Sequence, residues 1–458
     1  MYSKLYKNIL FPLYEAKIAR RNTLKYLNIL ERNQYYPLEK IKEIQWDKLQ
    51  KLLNHAYMHV PYYRDIFEAL KLQPKDIKTE ADFRKLSFLN KIDVQNNQKK
   101  LIADNYCDKN VISNETGGST GQPINFLYPR ESYEWRIAAA IRSNRWTGWD
   151  LGKKATIIWG TAIDKQPYLK RSKIRLHHLL MRRQFINAFQ LSEQNLAFYI
   201  EKIRRFNPVL VEAYVSTLYA IAYFIKENNI KGFNPKAIIT SAETLFDYQR
   251  ELIESVFECK IFNRYGCSEV MLIGAECSEH SGMHLNADNL YIEFLKNNEL
   301  VKPGQSGEIV ITDLNNYGMP FIRYKIGDFG APSASICKCG RGLPLAEKIE
   351  GRTMDILLTS KGEFIQPQIF CFLFKEFGWI KQYQIFQEQK GKITFRIIST
   401  KDPSGSEKDN FIRRVSNVLH GNVDVQIEIV DKIPLTQRGK FRVVVSKKSD
   451  SLTIFGNE

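Results

Sequence analysis

VLVEAYV (Val209–Val215), KAII (Lys236–Ile239) and KIFN (Lys260–Asn263) are short strand-like runs, the last two followed by polar residues, and they are separated by two segments of helical periodicity, Leu218–Lys226 and Tyr248–Phe257. Short runs of this kind alternating with helices predict a βαβαβ unit, hence a parallel sheet with right-handed crossovers. In such sheets ligands bind beyond the carboxyl ends of the strands. Those ends are Thr240-Ser241-Ala242-Glu243 and Arg264-Tyr265-Gly266-Cys267-Ser268-Glu269, both compact and polar, as binding loops are.

Working outward, Ala155–Trp159 reads as another buried strand and Tyr133–Trp146 as a helix. Leu49, Leu52, Leu53 and Ala56 make an apolar stripe on a helix over Trp46–His59, which Pro61 is expected to stop before Tyr62 and Tyr63. Residues 1–100 are expected to be mainly helical. Leu290–Leu295 and Gly307–Leu314, parted by the turn Lys302-Pro303-Gly304, predict an antiparallel sheet region. After Gly351, strands at Thr394–Ile398, Val425–Val430 and Phe441–Val445 mix with helices at Gln368–Phe377 and Lys408–Leu419. The expectation is an α/β protein with a large N-terminal domain, 1–350, and a small mobile α+β domain, 351–458.

At 458 residues and 44% hydrophobic composition the chain can bury a large core, and its net charge of +17 favours anionic partners. Between Lys153 and Arg183 nine basic residues face one acid, Asp164. Charge alone does not choose among nucleotide, anionic lipid, acidic glycan and nucleic acid, and no nucleic-acid motif accompanies it. The first apolar run, Ile9–Tyr14, is interrupted by Pro12 and followed by Lys17, Arg20 and Arg21, which suits neither a signal peptide nor a membrane span. This stretch could lie on an anionic membrane surface, with a docked helix the commoner role. Seven scattered cysteines do not form a disulfide framework. The Cys337-Lys338-Cys339 pair reads as metal ligands in a reducing compartment, so a cytoplasmic protein is expected.

The loop ETGGSTGQP (Glu115–Pro123) packs three glycines and three hydroxyls together. Gly117, Gly118 and Gly121 let the backbone approach an anion, and Thr116, Ser119 and Thr120 add donors, though a flexible surface turn has the same composition. It is not a P-loop, since no Lys follows Gly121.

Taken in order, ETGGSTGQP, SAET, NRYGCSEV, YKIGD (Tyr324–Asp328), GRTMD (Gly351–Asp355) and PLTQRGKFR (Pro434–Arg442) resemble the motifs of the adenylate-forming enzymes, in particular the phenylacetate-CoA ligase-like branch with members in capsular polysaccharide biosynthesis. The resemblance spans about Leu49 to Arg442 and implies activation of a carboxylic acid by ATP, followed by transfer of the acyl group, commonly to CoA. It implies that the Gly-rich loop holds the β- and γ-phosphates and that Glu269 holds Mg²⁺. Tyr265 would stack on adenine, Ser241, Ala242 and Glu243 would line its other side with Gly266 and Ser268 beside it, and Asp328 would bind the ribose. Arg352 would reach the α-phosphate, and Lys440 would be brought in for adenylation by a hinged C-terminal domain. A structural Zn²⁺ site is implied on Cys277, His284, Cys337 and Cys339, with His280 as an alternative to His284. Cysteines 107, 259, 267 and 371 are expected to be packing residues.

Two departures from the pattern are Met354, where relatives place the hinge Asp, and Gln122, where many have Lys. They bear on CoA as acceptor. An amine or hydroxyl of a sugar-linked precursor at the membrane face is the alternative, and a weakly catalytic binding or assembly protein is a third possibility. The identity of the acid is not legible.

Overall fold

The computed structural model describes residues 1–106, 111–115, 124–160, 167–191, 193–231, 234–350, 357–360, 364–365, 370, 373–419, 423–433 and 444–446. Thr116 to Gly121 and Gln122 of the Gly-rich loop, Arg352, Met354 and Lys440 lie outside the described residues.

Arg183–Asn187, Ala155–Trp159, Leu210–Tyr214, Ala237–Ser241 and Ile261–Cys267 lie side by side in that order, all parallel. Their apolar runs are buried because helices cover them: Ile158, Ile186, Val211, Ala213, Ile238 and Ile261 pack with Ile253 and Phe257 of the Asp247–Phe257 helix and Leu218 and Ile221 of Val215–Glu227. The predicted βαβαβ unit is present, with strand ends one or two residues from the expected ones except that the third strand runs four residues past Asn263, to Cys267.

The antiparallel region is not a second sheet. Ile261–Cys267 turns directly into Met271–Glu276, with Arg264 opposite Ala275 and Tyr265 opposite Gly274, and pairing then continues to make one sheet of twelve strands. A hairpin keeps its two strands hydrogen-bonded, so the sheet could not end there. The turn is tight: Met271 has a φ of 63°, and a Cβ on Gly266 would stand 1.9 Å from the Met271 carbonyl oxygen. Only glycine fits.

Residues 1–100 are mainly helical as expected, and the leucine stripe of Leu38–His59 packs with Phe67, Phe83, Ile309, Ile311 and Phe321. The helix ends at His59, before Pro61 and the aromatic pair, as expected. Val60 is extended, and Pro61 opens the next helix, Pro61–Ala69, where its missing N–H costs nothing. Tyr63 is therefore buried, with its hydroxyl donating to the Pro320 carbonyl at 2.8 Å. Buried ion pairs tie the Arg130–Trp146 helix to the antiparallel half, Arg142 to Asp288 and Arg136 to Asp313, each at 2.7 Å.

Towards the C-terminus, Asp424–Ile429, Lys392–Ser399, Ile380–Gln389 and Val444–Ser446 form a four-stranded sheet in that order, backed by the helix Gly405–Val418. Phe370, Phe374, Phe395 and Phe411 stack within its own core. Of the helix expected over Gln368–Phe377, the described residues contain only helical positions at Phe370 and Leu373 and the short turn Phe374–Glu376 after them.

Candidate functional site

A cleft of about 1050 Å³ opens where the parallel half of the sheet meets the antiparallel half. Ser241, Ala242, Glu243, Tyr265, Gly266, Ser268, Glu269 and Asp328 all line it. Three loops far apart in sequence meet there for a topological reason. Ala237–Ser241 and Ile261–Cys267 are adjacent parallel strands with Ser241 in register with Arg264, so their carboxyl ends emerge at one level. Tyr324–Pro332 brings the third group across from the antiparallel half.

Two carboxylates in the cleft are each held by a tyrosine. The Tyr265 hydroxyl donates to Asp328 Oδ2 at 2.8 Å, and the Tyr324 hydroxyl donates to Glu269 Oε1 at 2.9 Å. Hydrogen bonds to an ionised acceptor are among the stronger ones and fix the orientation of the carboxylate. Ala242 follows Ser241 with a φ of 70°, which turns the chain sharply at the strand end. The side chain of Glu243 is committed elsewhere: its oxygens accept from Ser216 N–H at 2.6 Å and Ser216 Oγ at 2.8 Å, capping the start of Val215–Glu227. What Glu243 offers the cleft is therefore backbone.

Residues that sequence reasoning left without a role also line the cleft. Arg264 forms an ion pair with Glu212 and its other nitrogen donates to Asn144 Oδ1 at 3.3 Å. Trp159 and Tyr214 stack with ring centres 4.2 Å apart, and Tyr133, His177 and Arg183 also line the cleft. Glu212 was detectable as the one acid inside the apolar run VLVEAYV, a charge that needs a partner when a strand is buried. Tyr324 stood in the quoted YKIGD motif. Cys267 lines the cleft as well, but burial pushes its thiol well above its ordinary pKa, which fits a packing residue and not an activated nucleophile.

A second cluster joins His284 of the strand Met283–Leu285 to Cys277, just past Met271–Glu276, and to Cys337 and Cys339 in the loop after Tyr324–Pro332. Cys277, His284, Cys337 and Cys339 bring their ligand atoms within 4.8 Å of one another. Cys277 Sγ lies 3.6 Å from Cys337 Sγ, and Cys339 Sγ lies 3.3 Å from His284 Nε2. Edges of this length are those of a tetrahedron with metal–sulfur bonds of about 2.3 Å and metal–nitrogen bonds of about 2.0 Å. His284 Nδ1 faces the Leu343 carbonyl at 3.3 Å, which leaves Nε2 as the nitrogen turned to the thiols. Burial lowers the His284 pKa to about 4, so the ring is neutral at neutral pH, as a ligand must be. His280 is not an alternative ligand: its Nδ1 lies 3.1 Å from Glu276 Oε2 and its ring packs on Phe262.

Among known proteins, the family described as the CapK C-terminal domain matches residues 357–447. Protein CapK of Staphylococcus aureus is 26% identical over 420 residues, covering 88% of this chain and 89% of CapK. A phenylacetate-coenzyme A ligase of Aromatoleum evansii is 25% identical over 370 residues, covering 78% of this chain and 81% of that enzyme. In fold, the chain is similar to 2-hydroxyisobutyryl-CoA ligase in complex with 2-HIB-AMP and CoA, with a TM-score of 0.65, 20% identity and 91% of each chain covered.

Proposed function

We propose that this chain, homologous to CapK and the phenylacetate-coenzyme A ligases and folded as an adenylate-forming ligase, activates a small carboxylic acid with ATP and passes the acyl group to CoA. The observation that carries the reading is the meeting of Ser241–Glu243, Tyr265–Glu269 and Asp328 around one cleft at the carboxyl ends of the parallel strands.

In this reading adenine lies between the Tyr265 ring and the backbone at Ser241, Ala242 and Glu243, with Gly266 and Ser268 lining the same pocket, and Asp328 accepts from the ribose hydroxyls. The acid's carboxylate oxygen attacks the α-phosphorus and the bond to pyrophosphate breaks. Glu269 would hold Mg²⁺, a hard cation suited to carboxylate and phosphate oxygens, which would neutralise charge on the leaving pyrophosphate. Thr116 to Gly121, Arg352 and Lys440 are assigned to the β- and γ-phosphates, the α-phosphate and the pentavalent centre by the sequence resemblance. The thiol sulfur of CoA then attacks the acyl carbon and AMP leaves. The division at about residue 350 and the rotation of a small C-terminal domain between the two steps belong to the same proposal. The wall of Trp159, Tyr214 and Tyr133 is the candidate acyl pocket. Zn²⁺ on the four-residue cluster would serve as a structural clamp between strands.

A second reading replaces CoA with an amine or hydroxyl of a surface-polysaccharide precursor. It is favoured by similarity to CapK across nearly the whole chain. Carboxylate-dependent ATP–pyrophosphate exchange over an acid library tests the first step, with Glu269→Ala and Lys440→Ala as controls. Exchange with no acid would leave a binding or assembly role, and exchange indifferent to both substitutions would overturn the site. CoA consumption with the active acid separates the two acceptors.

A further inference from the structure

Residues 2–19 are helical throughout and run beside the helix Tyr168–Leu180. The Tyr2 hydroxyl donates to the Leu180 carbonyl, the Arg182 guanidinium lies over the Tyr2 ring at 5.4 Å, and Tyr14 packs on His177 with ring centres 5.0 Å apart. The first segment is anchored by Tyr6, Phe11 and Glu15, which are buried. Its opposite side carries Leu5, Ile9 and Leu13, one turn apart. On the neighbouring helix Leu176, Leu179 and Leu180 sit at helical spacing. All six side chains are between 43% and 71% exposed. No other described element exposes more than one large apolar side chain, so these two helices carry the one concentration of them among the described residues.

Basic residues frame the leucines. Lys4, Lys7 and Lys17 are exposed on the first segment, and Lys173 and Arg175 on the second. The only acid on either element is Glu15, which is buried. Lys7 reaches Asp150 at 2.6 Å, and the other four form no ion pair among the described residues. An apolar stripe with cations beside it and no exposed acid matches a surface that offers hydrocarbon below and negative charge above. A second copy of the chain is a poorer occupant, because a two-fold contact through this face would set its basic rows against each other.

We propose that the face formed by residues 2–19 and Tyr168–Leu180 docks the protein peripherally on a membrane surface rich in anionic lipid. Leu5, Ile9, Leu13, Leu176, Leu179 and Leu180 enter the headgroup boundary, and Lys4, Lys17, Lys173 and Arg175 meet the lipid charge. No helix of the described residues is long and apolar enough to cross a membrane, so the contact is lateral. Phe11, Tyr14, His177 and Met181, from or next to the same two helices, line the cleft, so the docking face and the cleft are built on the same elements.

Vesicle co-sedimentation of the full chain tests this, using phosphatidylcholine vesicles with and without about one third phosphatidylglycerol, at about 0.05 and 0.5 M NaCl. The expected result is binding only to the anionic vesicles, about tenfold weaker at the higher salt. L176S/L179S/L180S and K173E/R175E should each weaken it at least about tenfold while unfolding at the wild-type temperature. No sedimentation with anionic vesicles at low salt overturns the proposal, as does binding unchanged in both variants. Concentration-dependent dimerisation abolished by the triple substitution, without vesicle binding, would assign the face to a second copy instead. Because the substituted residues do not line the cleft, pyrophosphate exchange in solution should persist in every variant, which keeps failure of docking apart from failure of the catalytic reading.

Discussion

The Tyr265 hydroxyl donates to Asp328 at 2.8 Å, so a residue at the end of the last parallel strand holds the carboxylate of a residue 63 positions later across the cleft. The ring that would face adenine and the carboxylate that would face ribose are one unit. Tyr265→Phe keeps the ring and removes the tether. About 1 kcal/mol of positioning is lost with it, which should raise the KM for ATP in pyrophosphate exchange about fivefold and leave kcat within about twofold. An equal loss in kcat would mean that Asp328 acts on the reacting centre.

Glu243 separates a structural duty from a binding one. Its carboxylate caps Val215–Glu227 through Ser216, so Glu243→Ala should cost about 1–2 kcal/mol in denaturant unfolding. Because only its backbone faces adenine in the proposed pose, the KM for ATP of the folded variant should stay within about twofold.

Gly266 has no room for a methyl group. A Cβ there would sit 1.9 Å from the Met271 carbonyl oxygen, a backbone atom of the paired strand that cannot swing aside. Gly266→Ala should cost at least about 2 kcal/mol of stability and move Tyr265 and Glu269 apart. A variant that keeps both its melting temperature and its exchange rate would show that the hairpin opens freely.

The four-residue cluster predicts about one zinc per chain by metal analysis, from the single tetrahedral set that the ligand atoms outline. Cys337→Ser and Cys339→Ser should lose most of it and lower the melting temperature. His280→Ala should retain it, since that ring is turned to Glu276. Metal retained by both serine variants would exclude this set as the site.

Lys48 puts an ammonium between the Asp288 carbonyl at 2.8 Å, Asn315 Oδ1 at 3.2 Å and the Trp135 ring at 4.0 Å. Burial lowers its pKa from 10.5 to about 8. The native state thus releases this proton at lower pH than the unfolded chain does, so the Lys48 contribution to stability rises with pH across that window. Between about pH 7 and 9.5 it should add about 2 kcal/mol to the wild type relative to Lys48→Met, measured by denaturant unfolding of both. Parallel pH profiles would show that the ammonium is solvated.

Local pattern alone determined much of the architecture. The three apolar runs with helical spacers specify a parallel unit wherever they occur, because strand and helix periodicities are properties of adjacent residues. The polar ends of those runs located Ser241, Tyr265 and Glu269 at one rim, while the family resemblance, with the CxC pair, anticipated a cluster with Cys277 and His284 that the fold does assemble. Tertiary structure decided what depends on pairing between distant segments. Whether the antiparallel strands formed a second sheet or extended the first turned on a hairpin at Gly266, and the tyrosine partners of Asp328 and Glu269 lie 63 and 55 positions away. The same applies to Glu243, whose carboxylate turns from the cleft because a helix N-terminus with unsatisfied donors stands closer, and to the leucines of two helices, which become one exposed face only when residues 2–19 fold back against Tyr168–Leu180.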